Sequence, residues 1–270
     1  MKPAPFTLLR ARTCDEAVEF LQRAGGGAKV IAGGQSLGPM LNLRLVQPGV
    51  LVDISGISAL TEARDYGDSV VFGGCVTHAA IEDGRVPDPT NGFMRRVARG
   101  IAYRAVRNRG TIAGSVVHAD PSADWLTTLT ALDAVVEIAG AKGTRSVALR
   151  DFVIMPFTVD LHEGEFVTGI RVSRHAADTR YGYFKFCRKA GEFASAMASV
   201  VASGTTVCGV VGATGNKPHV VVEASRFLPV TVETLAEAAQ HVQALAIADD
   251  PAADRANAAA FVRALKQVAQ

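Results

Sequence analysis

What this 270-residue chain has little of narrows its function first. Its four cysteines, Cys14, Cys75, Cys187 and Cys208, lie far apart, with no C-x-x-C and no histidine at ligand spacing. That pattern excludes a zinc site or an iron–sulfur cluster built by this chain alone and predicts free thiols in a reducing compartment. Aromatics make up 6% of the residues and the formal charge is only +2. The densest basic run, Arg95, Arg96, Arg99, Arg104, Arg107 and Arg109, lacks interleaved aromatics for stacking bases, which argues against nucleic-acid binding. No apolar run reaches membrane-spanning length, and the first residues carry no signal-peptide core. The expectation is a soluble, cytoplasmic protein without a membrane span.

What is present is a large reserve of apolar residues, 49% of the chain, enough for a substantial core of mostly Val, Ala, Leu and Ile. Phe6–Leu9 reads as a short strand. Thr13-x-x-Glu16 is a capping box opening a helix with Ala17, Val18, Leu21 and Ala24 on its apolar side. Gly25-Gly-Gly27 ends that helix, and strands follow at Lys29–Ala32 and Val50–Ile54, with a weak helix over Met40–Val46. Residues 1–55 therefore form a β-α-β-α-β unit with a small parallel sheet. Residues 56–175 change rhythm. Strands are expected at Ser69–Gly74, Ala134–Ala139 and Glu165–Val172, a short helix capped by Thr77, and helices at Asn91–Gly100 and Trp125–Leu132. A polar turn, Ser173–Thr179, marks a domain boundary. In residues 176–270 a strand over Tyr181–Cys187 and a hairpin over Met197–Ser203 and Thr205–Val211 precede two alanine-rich helices, Thr231–Ile247 and Ala253–Val268.

The chemistry concentrates in Lys29-Val-Ile-Ala-Gly-Gly-Gln-Ser-Leu-Gly38. A strand runs into two glycines that tolerate φ > 0 and allow close backbone approach, then into Ser36, fit to cap a helix. Together these make an anion cradle suited to the pyrophosphate of a dinucleotide. Two other readings fit the same residues. Gly34-Gln-Ser-Leu-Gly38 matches the G-x-S-x-G elbow of serine hydrolases, with Ser36 as nucleophile, although little chain precedes it and Pro39 follows at once. The stretch also reads as a tight turn with no ligand. A second stretch, Thr111-Ile-Ala-Gly-Ser115, offers further backbone N–H groups and hydroxyls. Asp124, downstream of it, suits either ribose hydroxyls or a helix N-cap.

With these residues in hand, the chain resembles the FAD-binding medium subunit of molybdenum hydroxylases, a group that includes the carbon monoxide dehydrogenase medium subunit and the flavin domain of xanthine dehydrogenase. The resemblance rests on Ala32–Leu37, Asn42-Leu-Arg44, Arg107–Ser115, Ala119–Asp124 and Phe184–Ala194, in that order along nearly the whole chain. It departs at Ala113, where the family usually has glycine, and at Glu192, where aspartate is common. A methyl at 113 is expected to push the pyrophosphate outward.

The resemblance implies an α+β chain of the vanillyl-alcohol-oxidase (PCMH) type, with an FAD-binding domain over 1–175 and a smaller α+β domain over 176–270. It implies that Ala32, Gly33, Gly34, Gln35, Ser36 and Leu37, together with Thr111, Ala113, Gly114 and Ser115, wrap the pyrophosphate. Ile101 would lie against the cofactor, Asp124 on its ribitol or ribose side, Lys185 near the flavin ring as a cation, and Phe193 facing the ring. The plain alternatives for the last two are a surface lysine and a core phenylalanine. The activity implied is that of an oxidoreductase subunit with no acid–base residue of its own. It would take electrons from [2Fe–2S] clusters on a small subunit, downstream of a molybdopterin cofactor on a large one, and pass them to an external acceptor. A self-contained flavin oxidoreductase is the other enzyme class to weigh, and a nucleotide-binding module without activity is a third.

Overall fold

A computed structural model describes residues 2–248 and 250–269. The first 55 residues fold as their pattern predicts. Strands Thr7–Arg10, Val50–Asp53 and Ala28–Ile31 lie side by side, with Val50–Asp53 in the centre and both pairings parallel. Parallel neighbours need a crossover, and the helix Cys14–Ala24 supplies the first, burying Ala17 and Leu21. The Thr13 hydroxyl accepts from the Glu16 N–H at 3.1 Å, while the Glu16 carboxylate accepts from the N–H of Arg12, one residue before the cap. The second crossover helix is Leu37–Asn42, earlier than the expected Met40–Val46. Pro39 sits inside its first turn, where a missing N–H costs no helical bond.

The next layer is a five-stranded antiparallel sheet in the order Ala63–Asp65, Ser69–Gly73, Phe166–Ser173, Val135–Gly140, Gly143–Ala148. The expected inner strands are there; the two edge strands, Ala63–Asp65 and Gly143–Ala148, are absent from the sequence reading. Short helices cover the sheet and bury Phe72, Met94, Ile112, Trp125, Leu126 and Phe152 in the main core.

The last sheet is an antiparallel meander of Arg180–Phe186, Ala196–Ser203, Thr206–Gly212 and His219–Val221 in sequence order. It contains the expected hairpin, and the helices Val232–Ala244 and Pro251–Gln267 close the chain against it.

One helix joins the two larger sheets. Asp124–Ala131 packs against Ala196–Ser203 and Thr206–Gly212 on one side and against Phe93–Arg99, Ile112–His118 and Leu149–Phe152 on the other. All eight of its residues are buried. A Cβ at Gly212 would stand 1.8 Å from the Thr127 hydroxyl oxygen, so only glycine lets this helix approach so closely. Asp124 therefore enters the site from a fixed, wholly enclosed helix.

Candidate functional site

The two glycine-bearing stretches meet backbone to backbone. A Cβ on Gly33 would fall 1.9 Å from the Arg109 carbonyl oxygen and 3.1 Å from the Gly110 Cα. Gly33 is thus required by the neighbouring loop, not by a left-handed conformation. Gly34 has φ +70°, and its glycine identity has the conformational reason. Beyond this contact the chain turns into Leu37–Asn42. Among the described residues, no protein group accepts from the backbone N–H groups of Gly33 to Leu37. The second stretch is a helix, Ile112–His118, and not merely a turn. The Thr111 hydroxyl caps it by accepting from the Gly114 N–H at 3.1 Å, and Ile112 N–H is bonded to the Val76 carbonyl. The Ala113 N–H, between them, has no acceptor among the described residues.

These loops line one wall of a cavity of about 940 Å³. All the site residues expected from the sequence lie around it: Ala32, Gly33, Gly34, Gln35, Ser36 and Leu37; Thr111, Ala113, Gly114 and Ser115; Ile101, Asp124, Lys185 and Phe193. Phe193 is 63% exposed at its edge, so it is not a core phenylalanine. Ile101 is set by Arg107, which donates to the Ile101 and Ala102 carbonyls at 2.9 Å and grips Glu82 with Nε and Nη2. Gly191, at φ +86°, lets the chain before Phe193 close onto Ala102 and Tyr103.

The readings of four residues are corrected. The Ser36 side chain makes no cap bond and its backbone is helical (φ −104°, ψ −52°). No base hydrogen-bonds its hydroxyl among the described residues, so the nucleophile reading has no partner, even though a helix does follow the turn. Asp124 is not a helix cap: the cap is Ala123, and Asp124 is the first helical residue. Lys185 is neither a surface lysine nor a free cation. Its Nζ donates to both Asp124 carboxylate oxygens at 3.0 Å, with the two side chains 9% and 5% exposed. Ala113 packs into the main core at 3% exposed, so its methyl group is spent on packing.

The cavity also has residues that the sequence reading missed. His118 lies one turn after Ser115 on the same helix, an i, i+3 spacing that pointed to a shared face. Its ring tilts against Phe157 at 5.4 Å, and Phe157 arrives from a distant connection with no local signal. Gly25, Gly26 and Glu163 form a far rim, next to Glu165. Arg145 grips Glu165 with two hydrogen bonds and holds its carboxyl down at about 2. His78, at the cavity floor, accepts from Trp125 Nε1 through Nδ1 at 3.0 Å, and burial lowers its pKa to about 4. The cavity wall therefore combines glycine backbone with apolar and ring side chains, and its buried Asp124 and Lys185 are paired.

Comparison with known proteins identifies the family. The FAD binding domain in molybdopterin dehydrogenase matches residues 4–174. The chain is 35% identical to the carbon monoxide dehydrogenase medium chain of Hydrogenophaga pseudoflava over 209 residues, covering 77% of this chain and 73% of the relative. It is 35% identical to the nicotine 6-hydroxylase medium subunit of Paenarthrobacter nicotinovorans over 176 residues, 65% of this chain and 62% of that one. The match thus spans less than two thirds of that relative's length. A solved carbon monoxide dehydrogenase structure from H. pseudoflava, which lacks the Mo-pyranopterin moiety of its molybdenum cofactor, superposes with a TM-score of 0.91 at 30% identity over 99% of this chain and 98% of that one. The chain belongs to the family of FAD binding domains in molybdopterin dehydrogenases.

Proposed function

We propose that this chain is the flavin-carrying electron-transfer subunit of a multi-subunit molybdenum hydroxylase. It would hold FAD in the cavity, take electrons from [2Fe–2S] clusters on a small subunit that accompanies a molybdopterin-bearing large subunit, and deliver them to an external acceptor. The observation that carries this reading is the joined pair of glycine loops, whose N–H groups at Gly33–Leu37 and Ala113 lack protein acceptors while lining a cavity of about 940 Å³. A row of N–H groups left free at helix starts suits phosphate oxygens.

The residues present fit FAD. Ala32–Leu37 and Thr111–Ser115 would hold the pyrophosphate, Ile101 and Phe193 would supply apolar contact to the ring system, and Asp124 has acceptor capacity left for a hydroxyl. When bound, FAD supplies the redox chemistry, while the protein supplies position and electrostatics. Lys185 and Asp124 would present a paired, nearly neutral surface to the cofactor. The partner assignment is supported by the relatives being called medium subunit and medium chain, words that imply a larger and a smaller companion, and by the dispersed cysteines of this chain. We propose a division into an FAD-binding domain over 1–175 and a smaller domain over 176–270, supported by the family match ending at residue 174. Among the described residues no helix is long and apolar enough to cross a membrane, and we propose a cytoplasmic location.

The test is reconstitution. The purified chain should bind one FAD that acid precipitation releases completely, and it should oxidise no purine, aldehyde, N-heterocycle or carbon monoxide by itself. Adding matching large and small subunits should restore turnover coupled to an acceptor. A chain that binds no flavin would refute the assignment. Rapid flavin reduction by an organic substrate added to the isolated chain would favour a self-contained oxidoreductase instead.

A further inference from the structure

The buried pair at the cavity wall is held from behind by a residue that does not line the cavity. Tyr183 donates its hydroxyl to Asp124 Oδ1 at 2.5 Å, in the short range of charge-assisted bonds. Tyr183 and Lys185 stand two apart on the strand Arg180–Phe186, so both side chains leave the same face and converge on one carboxylate. Burial and the adjacent carboxylate push the Tyr183 phenol well above its ordinary value, which keeps it a donor.

The strand itself is anchored at this residue. Tyr183 N–H donates to Gln267 Oε1 at 3.1 Å, and its carbonyl accepts from Gln267 Nε2 at 3.0 Å. The carboxamide thereby pairs with this edge strand as a neighbouring strand would. The helix Pro251–Gln267 comes this close because a Cβ at Gly182 would stand only 1.9 Å from the Ala264 carbonyl oxygen.

An aspartate's terminal torsion is soft, so a carboxylate bonded by Lys185 alone could turn and lose the two-oxygen contact. We propose that Tyr183 is a positioning residue for the cavity. Its hydroxyl fixes the Asp124 carboxylate where both oxygens meet Lys185, so that the wall presents an immobile, charge-balanced pair in place of a mobile cation. The role rests on the reading of the cavity as an FAD site, because FAD is what the pair would face.

The test is a double-mutant cycle on the full chain reconstituted with FAD, using Tyr183→Phe, Asp124→Asn and the two combined. Tyr183→Phe keeps the ring and its packing. It should weaken FAD binding about ten- to 150-fold, the range expected for losing one hydrogen bond to a charged group. It should also raise the midpoint potential of the bound flavin, in the direction of Asp124→Asn and by less, because a looser carboxylate neutralises Lys185 less completely. In the Asp124→Asn background the same change should add nothing to either quantity. Additive losses in affinity, or an unmoved potential in Tyr183→Phe, would overturn the role. Should Tyr183→Phe fail to fold, Gln267→Ala should give a smaller affinity loss that vanishes in the Asp124→Asn background; persistence there would overturn it too. Failure of the unmodified chain to bind FAD is a different result. It would remove the flavin reading itself and this role with it, whereas binding with additive losses would remove only the role of Tyr183.

Discussion

The contact between the glycine loops makes the site sensitive to a single methyl group, and Gly33→Ala is the sharpest probe of it. The added Cβ would lie 1.9 Å from the Arg109 carbonyl oxygen and 2.7 Å from its carbon. An ordinary carbon–oxygen contact is about 3.3 Å, so one loop must move by roughly 1.4 Å. Both obstructing atoms are backbone, so no side chain can swing aside to relieve the clash. Overpacking of this kind costs about 1–3 kcal/mol. If that cost falls on the assembled cradle, FAD binds about five- to 150-fold more weakly. Gly34→Ala is the control. Its Cβ would meet only the Ile31 side chain, at 3.5 Å or more, but the residue sits at φ +70°. That substitution should cost about 1–2 kcal/mol of stability through left-handed strain while leaving the loops in contact. Fluorescence titration with FAD and thermal unfolding separate the two effects. Gly33→Ala should lose more affinity, and Gly34→Ala should keep more affinity for a comparable loss of stability. Wild-type FAD affinity in Gly33→Ala would refute the argument that this contact shapes the cradle.

Other perturbations follow from the same geometry. Thr111→Val removes the hydroxyl that caps Ile112–His118 and should cost about 1 kcal/mol in denaturant unfolding, and an unchanged midpoint would reject the cap. Ser36→Ala should leave stability unchanged because the hydroxyl caps nothing; esterase activity that depends on Ser36 would revive the hydrolase reading. Folding stability should fall as pH drops from 6.5 towards 4. His78 is held neutral at about 4 in the folded chain, against 6.5 ordinarily, so its contribution is complete above pH 6.5 and is lost on acidification. Two and a half units correspond to roughly 3 kcal/mol, and His78→Asn should flatten this part of the profile if urea unfolding is followed across that range.

How much of this protein was legible in its sequence follows from the range of the interactions involved. The threonine caps Thr13 and Thr77 bond N–H groups three residues ahead, so spacing alone reveals them, whereas Thr111 caps a helix that the sequence presents as a glycine turn. The parallel unit over the first 55 residues and the hairpin of Ala196–Ser203 with Thr206–Gly212 carry their own apolar rhythm and turn glycines. Among the strands that went unread, Ala63–Asp65 and Gly143–Ala148 are sheet edges of exposed or half-buried residues, and an edge with little to bury leaves no alternation to detect. The residues expected at the site all line the cavity, whereas His118, Phe157 and Glu163 join it from positions with weak or no local signal.

Tertiary structure decided what several of them do. Asp124 carries the composition of a cap, yet a helix enclosed on every side turns it towards Lys185, 61 positions along the chain, where a buried carboxylate needs a cation. Ala113 carries the methyl expected to push the pyrophosphate outward, and packing buries the residue in the core. Gly33 looks like a ligand-facing glycine, but its strictest requirement comes from the Arg109 carbonyl of the other loop. Spacing records bonds between residues a few positions apart. The burial of a charge and the approach of two distant backbones exist only once the sheets have packed.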